Sequence, residues 1–533
     1  MHAEPTREIE PSGRYNVCMA RATSLVLGGV GFCVLVLLNV GGYRYGVSDQ
    51  AFYVPVVLQR LDPRLFPYDA PLLDAQNQLF AFDNWLAPLL VLTGVSLPIA
   101  FLVSYFVGVS VVYAAAVSIG RSLYSTWWGV GAFVAALAIR HRIPDTAVNT
   151  FEPYLHPRQL AFAAGLVAAA IFLRGRTWVA FAAVAAAFLL HPTTGFWFAV
   201  LIGIAALAAD REARPQVLAL AGGIAAAGAV LLASTFRDQL VVMDATWSAV
   251  LQSKDYLLAT QWPLSTWFVN LGFAAIVAGV YDYRRTHGLA SARETGLVAG
   301  GGTLLLLFLA SLPLAHAGVA FVVQLQLNRI FWILDILAIV YTVWVLVESP
   351  LARRPLAAIA RRRLLAGHAA VALIVVASVA RGSYVTFAER AEHPLVEIDL
   401  PATEWTEVMR WAGERPIGTH FLADPGHAWR YGSSVRVGSG RDVYLEEVKD
   451  IGIAIYSSNV AHRVARRIAD LGDFSALDPA RARWLARRYD LDYLITERAL
   501  DLPAAHQHGR FTVYDLRSDN RFAWRADAAL EDD

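Results

Sequence analysis

Carboxylates, imidazoles and guanidinium groups gather in a few short stretches of this 533-residue chain. The first is Gly46-Val47-Ser48-Asp49-Gln50, where Asp49 follows the first long apolar run. An acid there reads as a side-chain cap for a helix starting near Gln50, or as a base that takes a proton from an attacking hydroxyl. A second stretch runs His141-Arg142-Ile143-Pro144-Asp145-Thr146, and is followed by Glu152-Pro153-Tyr154-Leu155-His156-Pro157-Arg158. Its prolines hold the backbone extended and fix where Glu152 and Arg158 point. The plainer reading is a solvated turn with Arg158 snorkelling at a helix end. His191, in His191-Pro192-Thr193-Thr194-Gly195, reads as a helix cap or a site residue. Residues 235–262 mix Arg237, Asp238, Asp244, Trp247, Lys254, Asp255 and Tyr256. That mixture suits a sugar or a polar headgroup, and equally suits aromatic anchors at a membrane surface. Gln324, Gln326, Asn328 and Arg329 precede another apolar run, and Asp335 lies within it. Ionisable residues there are costly and are usually functional or paired. Arg329 is the cation best suited to a lipid phosphate. No HxxH, HExxH or paired-cysteine spacing occurs, so a zinc site is not expected. A magnesium or manganese ion on Asp49 and a second-loop acid stays open.

The elements that must position these residues are apolar. The chain is 56% hydrophobic and only 17% charged, where soluble domains carry about a quarter charged residues. Spans are expected at 23–42, 86–119, 124–140, 158–173, 177–190, 193–209, 216–234, 263–281, 296–315, 328–348 and 364–381. Gly94 and Pro98 break the long second stretch into a short piece and a true span. Arginines set the orientation. With the N-terminus cytoplasmic, Arg7, Arg14, Arg21, Arg121, Arg174, Arg176, Arg211, Arg214, Arg284, Arg285, Arg293, Arg353, Arg354 and Arg361–Arg363 all lie inside. The acid-bearing loops then face away from the cytoplasm. The first of these, 43–85, carries an amphipathic helix pattern through Phe52, Val56 and Gln59. The N-terminus resembles no cleavable signal, because Tyr43-Arg44-Tyr45 follows a long apolar run. Cys18 and Cys33 supply no disulfide framework for the outer loops. Lys254 and Lys449 are the only lysines, which reads mainly as genomic base composition. A net charge of +1 gives no sign of a nucleic-acid partner.

After Arg381 the composition turns polar. Strands are expected at 420–423, 442–445, 492–496 and 511–515, and helices at 455–470 and 478–489. The fold class is thus a polytopic α-helical membrane domain, 1–382, of about eleven transmembrane helices, followed by an extracytoplasmic α/β domain, 383–533. The location expected is the bacterial cytoplasmic (inner) membrane.

An acid directly after the first span, a long amphipathic first outer loop, an acid-bearing second loop, many spans and a C-terminal outer domain resemble the GT-C class of membrane glycosyltransferases. Glu152–Arg158, His191-Pro192 and the late Asp492-Tyr493-Leu494-Ile495 also look like uncharacterised bacterial proteins of this layout. The resemblance implies transfer of a sugar from a polyprenyl-phosphate donor to a lipid, glycan or protein acceptor at the outer membrane face. It puts Asp49 at the catalytic-acid position as base, with Glu152 or Asp145 as the second-loop acid. Arg158, Arg329 and His191 would bind the donor phosphate, and Gln50, Tyr154, His156, Trp247 and Lys254 are substrate-contact candidates. One departure is that Gln50 stands where many members carry a second acid, which leaves metal dependence and substrate class open. Two other readings stand beside this one. The first is a transporter or flippase of a lipid-linked or polar solute, disfavoured by apolar span centres and the lack of an internal repeat. The second is a non-catalytic scaffold of envelope assembly.

Overall fold

The computed structural model describes residues 11–77, 81–234, 237–349 and 361–517. Arg7, Phe236, Arg353, Arg354 and the chain after residue 517 lie outside the described residues. Eight described helices are long and apolar enough to cross a membrane: Ala22–Val40, Leu97–Leu123, Pro192–Ala209, Arg214–Ser234, Leu264–Thr286, Ala292–His316, Ala320–Glu348 and Leu364–Glu389. Shorter apolar helices are Trp127–Ala138, Pro157–Leu173 and Thr177–Leu190. Together these mark a multi-pass membrane protein. Gly94 does end one helix, Phe82–Thr93, in the left-handed region at φ 67°, and Pro98 opens the next.

Close backbone approach holds the bundle where side chains are small. A Cβ on Gly296 or Gly300 would run into the carbonyl oxygens of Ala205 and Leu201 on helix Pro192–Ala209. This small-xxx-small spacing lets two helices pack at the backbone. At one end of the bundle, polar ties join the helix turns. Arg284 pairs with Glu294 at 2.7 Å, Arg293 pairs with Asp210 at 3.1 Å, and Glu348 accepts from the Ser125 and Thr126 amides. The most enclosed span is Ala320–Glu348. It is broken at Gln326, whose φ is +45°, and the short turn Leu327–Ile330 that follows carries Arg329.

The bundle's other end carries a mixed five-stranded sheet. Spatially the order is Asp442–Val443, His420–Leu422, Tyr493–Thr496, Phe511–Asp515 and Ala504–His508. The first three strands are parallel and the last two pairings antiparallel. Ala504–His508 was not expected from sequence, because this edge strand is mostly exposed and shows no apolar alternation. Helices Glu404–Gly413 and Glu447–Ala454 were also unanticipated, while Ser458–Leu471 and Pro479–Tyr489 lie close to their expected positions. Alternate strand residues feed two cores. Phe421 and Val443 pack with Trp405 and Met409 on one face. Leu422 and Leu494 pack on the other, in a cluster that also takes Leu72, Trp247, Ala320 and Val323 from the helical part of the chain. The sheet region therefore shares a core with the loops beneath it.

A buried ion network reinforces that junction. Asp69, from the first loop, receives Arg436 Nε at 2.8 Å and Arg463 Nη2 at 2.7 Å. Arg436 also meets Asp450 through two hydrogen bonds, at 2.7 and 3.1 Å. Both Asp69 and Arg436 are fully buried.

Candidate functional site

Asp49 precedes helix Gln50–Leu61 but its carboxylate makes no capping bond. The cap reading therefore fails, and the carboxylate turns instead toward three side chains from two other parts of the chain. Lys449 Nζ donates to Oδ1 at 2.9 Å, Tyr154 Oη donates to Oδ2 at 3.3 Å, and His156 Nε2 lies 3.4 Å from Oδ2. Burial alone would raise the Asp49 carboxyl. The Lys449 ammonium, the His156 hydrogen bond and Arg158 outweigh it and hold the group well below the usual carboxylate range.

The tautomer of His156 follows from the helix that it starts. Its Nδ1 accepts the Arg158 amide at 3.0 Å, capping helix Pro157–Leu173 ahead of Pro157. Burial and the Arg158 charge push the imidazole down to about 3, against the pull of Asp49. The neutral ring thus carries its proton on Nε2, aimed at Asp49. His191 caps helix Pro192–Ala209 in the same way, and its ring centroid lies 6.1 Å from that of His156.

Asp49 stands on the partition between two cavities. The smaller, about 150 Å³, is lined by Arg158, Arg329, Lys254, Lys449, His156 and His191, with Tyr53, Tyr256 and Tyr456. A cavity of about that volume takes a benzene-sized group. Asp49 is the only acid on its wall among the described residues. Arg158 Nε is buried with no hydrogen-bond partner, and its Nη2 lies 3.8 Å from Glu152. Arg329 donates through Nε to the Thr146 carbonyl at 3.1 Å and lies over the Tyr256 ring. Lys254 donates to the Val448 carbonyl at 2.7 Å. Burial and the neighbouring Lys449 lower its ammonium to about 8.

The larger cavity, about 840 Å³, opens on the other side of Asp49. Tyr154, Glu152 and Asp145 line it. Glu152 accepts from Asn149 Nδ2 at 3.0 Å. Burial raises its carboxyl, against the opposing pull of Arg158 and Arg140. Asp145 accepts from the Thr266 hydroxyl at 2.5 Å. It sits at φ +48° in the turn of a small hairpin, Arg142–Ile143 with Val148–Asn149.

Two sequence candidates stand apart. Gln50 is fully buried and spans two backbone groups, taking the Gly46 amide at 2.6 Å and giving to the Leu155 carbonyl at 3.0 Å. It lines neither cavity, and its amide ties the first loop to the second. Trp247 is buried in the core shared with the sheet, its Nε1 bonded to the Ala454 carbonyl at 2.7 Å, so its indole is not free to stack on a ligand. Asp335, unassigned from sequence, meets His141 Nδ1 at 3.2 Å. Lys449 is the residue that sequence reasoning missed. The two lysines of this arginine-rich chain read as base composition, and only the fold places both on one cavity wall.

The surroundings of Asp49 do not fit a divalent ion. Its neighbours are an ammonium, an imidazole N–H and a phenol, and Arg158 lies between it and Glu152 in charge. No group of three or more His, Cys, Asp or Glu is placed to hold a metal ion among the described residues. The chain matches no known family model and no curated protein.

Proposed function

We propose that this protein is a membrane glycosyltransferase that moves a sugar from a polyprenyl-phosphate donor to an acceptor hydroxyl. The observation that carries this reading is the position of Asp49, one carboxylate shared by a phosphate-sized cationic cavity and a large polar chamber. Arg158, Arg329, Lys254 and Lys449 converge on the small cavity, a donor-rich hole suited to a phosphate. The helical part of the chain makes eleven crossings, with a cytoplasmic N-terminus and the sheet region on the outer face of the inner membrane. The basic helix turns at 121, 174–176, 211–214 and 284–293 support that orientation.

The chemistry needs few parts. The acceptor hydroxyl oxygen attacks the anomeric carbon from the chamber side. The bond from that carbon to the phosphate oxygen breaks, and its electron pair leaves with the phosphate. Asp49 takes the hydroxyl proton. The departing phosphate gains charge, which the arginines and lysines stabilise. Lys449 holds Asp49 at low basicity while the small cavity is empty. A donor phosphate competes for that ammonium and returns basicity to the carboxylate as the donor binds. His156 Nε2–H keeps the carboxylate oriented.

The test uses purified full-length protein in lipid, given polyprenyl-phosphate sugars and membrane-extract acceptors. Wild type should release polyprenyl phosphate and Asp49→Asn should not, while both bind donor. Equal release by Asp49→Asn would remove the base assignment. Silence from wild type with donor unbound would move the reading to the transporter or the scaffold.

A further inference from the structure

The large chamber carries an imbalance of its own. Five arginines and four acids line it among the described residues, but one of those acids is neutralised from the chamber's far side and a second in part. Asp49 is held by Lys449, off the chamber wall, whereas Glu152 is shared between Arg140 on the wall at 3.6 Å and Arg158 behind it at 3.8 Å. A third acid, Asp145, is engaged by Thr266. The wall therefore keeps an excess of guanidinium over carboxylate.

Two of these guanidinium groups are incompletely bonded, although Arg381 donates to Asn39 and Arg140 pairs with Glu152. Arg44 Nε and Nη2 and Arg140 Nε are buried with no hydrogen-bond partner. The nearest carboxylate to Arg44, Glu397, stands at 3.9 Å, beyond hydrogen-bond distance. Leaving such donors unmatched is expensive. Burial, and then the like charge of Arg390, lower the Arg44 guanidinium. The fold nevertheless keeps these groups together. Gly41, at φ +73°, leaves the space that Arg390 occupies, since a Cβ there would strike the Arg390 side chain. Arg44 is fixed by parallel pairing of Tyr43–Arg44 with Val396–Glu397. Across the chamber stands Trp429, 78% exposed, on the short helix His427–Arg430 of the sheet region.

We infer that this chamber binds an acid-bearing saccharide, its carboxylate or phosphate held by Arg44, Arg140, Arg142 and Arg390 and its ring packed on Trp429. The planar guanidinium fork matches either oxyanion in a bidentate manner. The volume lies within the range of small-molecule sites. In the transferase reading, on which the word acceptor rests, this saccharide is the acceptor, and its hydroxyl reaches Asp49 at the chamber floor.

Binding can be measured without turnover. The full chain in zwitterionic nanodiscs at low salt would be titrated with methyl glucuronide, glucose 6-phosphate and uncharged methyl glucoside. At least one acidic sugar should bind about tenfold or more tighter than methyl glucoside, the scale of one charge-assisted hydrogen bond. The stronger of the two identifies the acid as carboxylate or phosphate. Arg142→Gln, an exposed position, and Arg390→Gln should each weaken it by a similar factor. The inference fails if the acidic and neutral sugars bind alike, or if no sugar binds. It fails also if the loss follows Arg329→Gln and not the chamber arginines, because the anion would then sit in the smaller cavity. Arginine-dependent binding with no release of polyprenyl phosphate from bound donor would uphold the chamber assignment and refute the transferase reading.

Discussion

Arg436→Met removes the cation that joins the first loop to the sheet region. The guanidinium is fully buried and reaches Asp69 at 2.8 Å and Asp450 at 2.7 Å. Methionine fills much of the volume but leaves Asp69, Asp450 and, at 3.6 Å, Glu446, all buried, facing an uncharged side chain. Removing one partner of a buried pair costs about 3–5 kcal/mol. A pair at 4 Å in an effective dielectric near 20 interacts by about 4 kcal/mol, which agrees. Arg463 still reaches Asp69 at 2.7 Å, so the lower part of that range is expected. Global unfolding of a multi-span protein is not two-state, and hydrogen exchange in nanodiscs is therefore the right assay. Protection in segments 65–77 and 420–450 should fall by roughly two to three powers of ten. The double variant Asp69→Asn/Arg436→Met should be less damaged than the sum of the single changes. Unchanged protection, or simple additivity, would refute the network as the joint.

Other outcomes follow from the same geometry. Lys449→Met should raise the Asp49 carboxyl toward its ordinary range, so the acid limb of a pH–rate profile should move to higher pH; an unmoved limb would separate Lys449 from the base. Lys254, lowered to about 8, loses charge as pH rises through that value, so donor affinity should fall above about pH 8, and Lys254→Met should abolish that fall. Asp69 is depressed, because Arg436 and Arg463 overcome its burial; its contribution is present above the ordinary aspartate value of about 3.9 and is lost as pH drops through its folded value. Asp442 runs the other way: burial, and then the Asp69 charge, raise it to about 7, so stability declines between about pH 4 and pH 7 and levels off above. Asp442→Asn should flatten that decline in exchange protection, since an amide oxygen can still accept the Asp69 amide. Trp247→Ala should cost about 3–5 kcal/mol as a core truncation and weaken the sheet junction, with sugar binding in surviving protein unchanged.

Most of the helices and strands are set locally by the sequence. Apolar runs of spanning length cannot be anything else in this composition, because a helix is the way to satisfy backbone groups inside a bilayer. The Gly94 break and most sheet strands were legible because glycine, proline and apolar alternation act locally. Asp49, Glu152, His156, Arg158 and Arg329 stood out because ionisable residues beside apolar runs are costly to keep there. The tertiary structure alone decided how they are used. Nothing local to Asp49 says that it declines to cap its helix and meets Lys449, 400 residues away in the chain. Nothing local to Gln50 or Trp247 says that one spans two backbone groups and the other fills a core. Those choices are pairings across the fold, where charge, burial and hydrogen bonding depend on which distant segment arrives. The same holds for the chamber arginines: Arg44, Arg140 and Arg390 lie in separate loops, and only folding brings like charges to one wall.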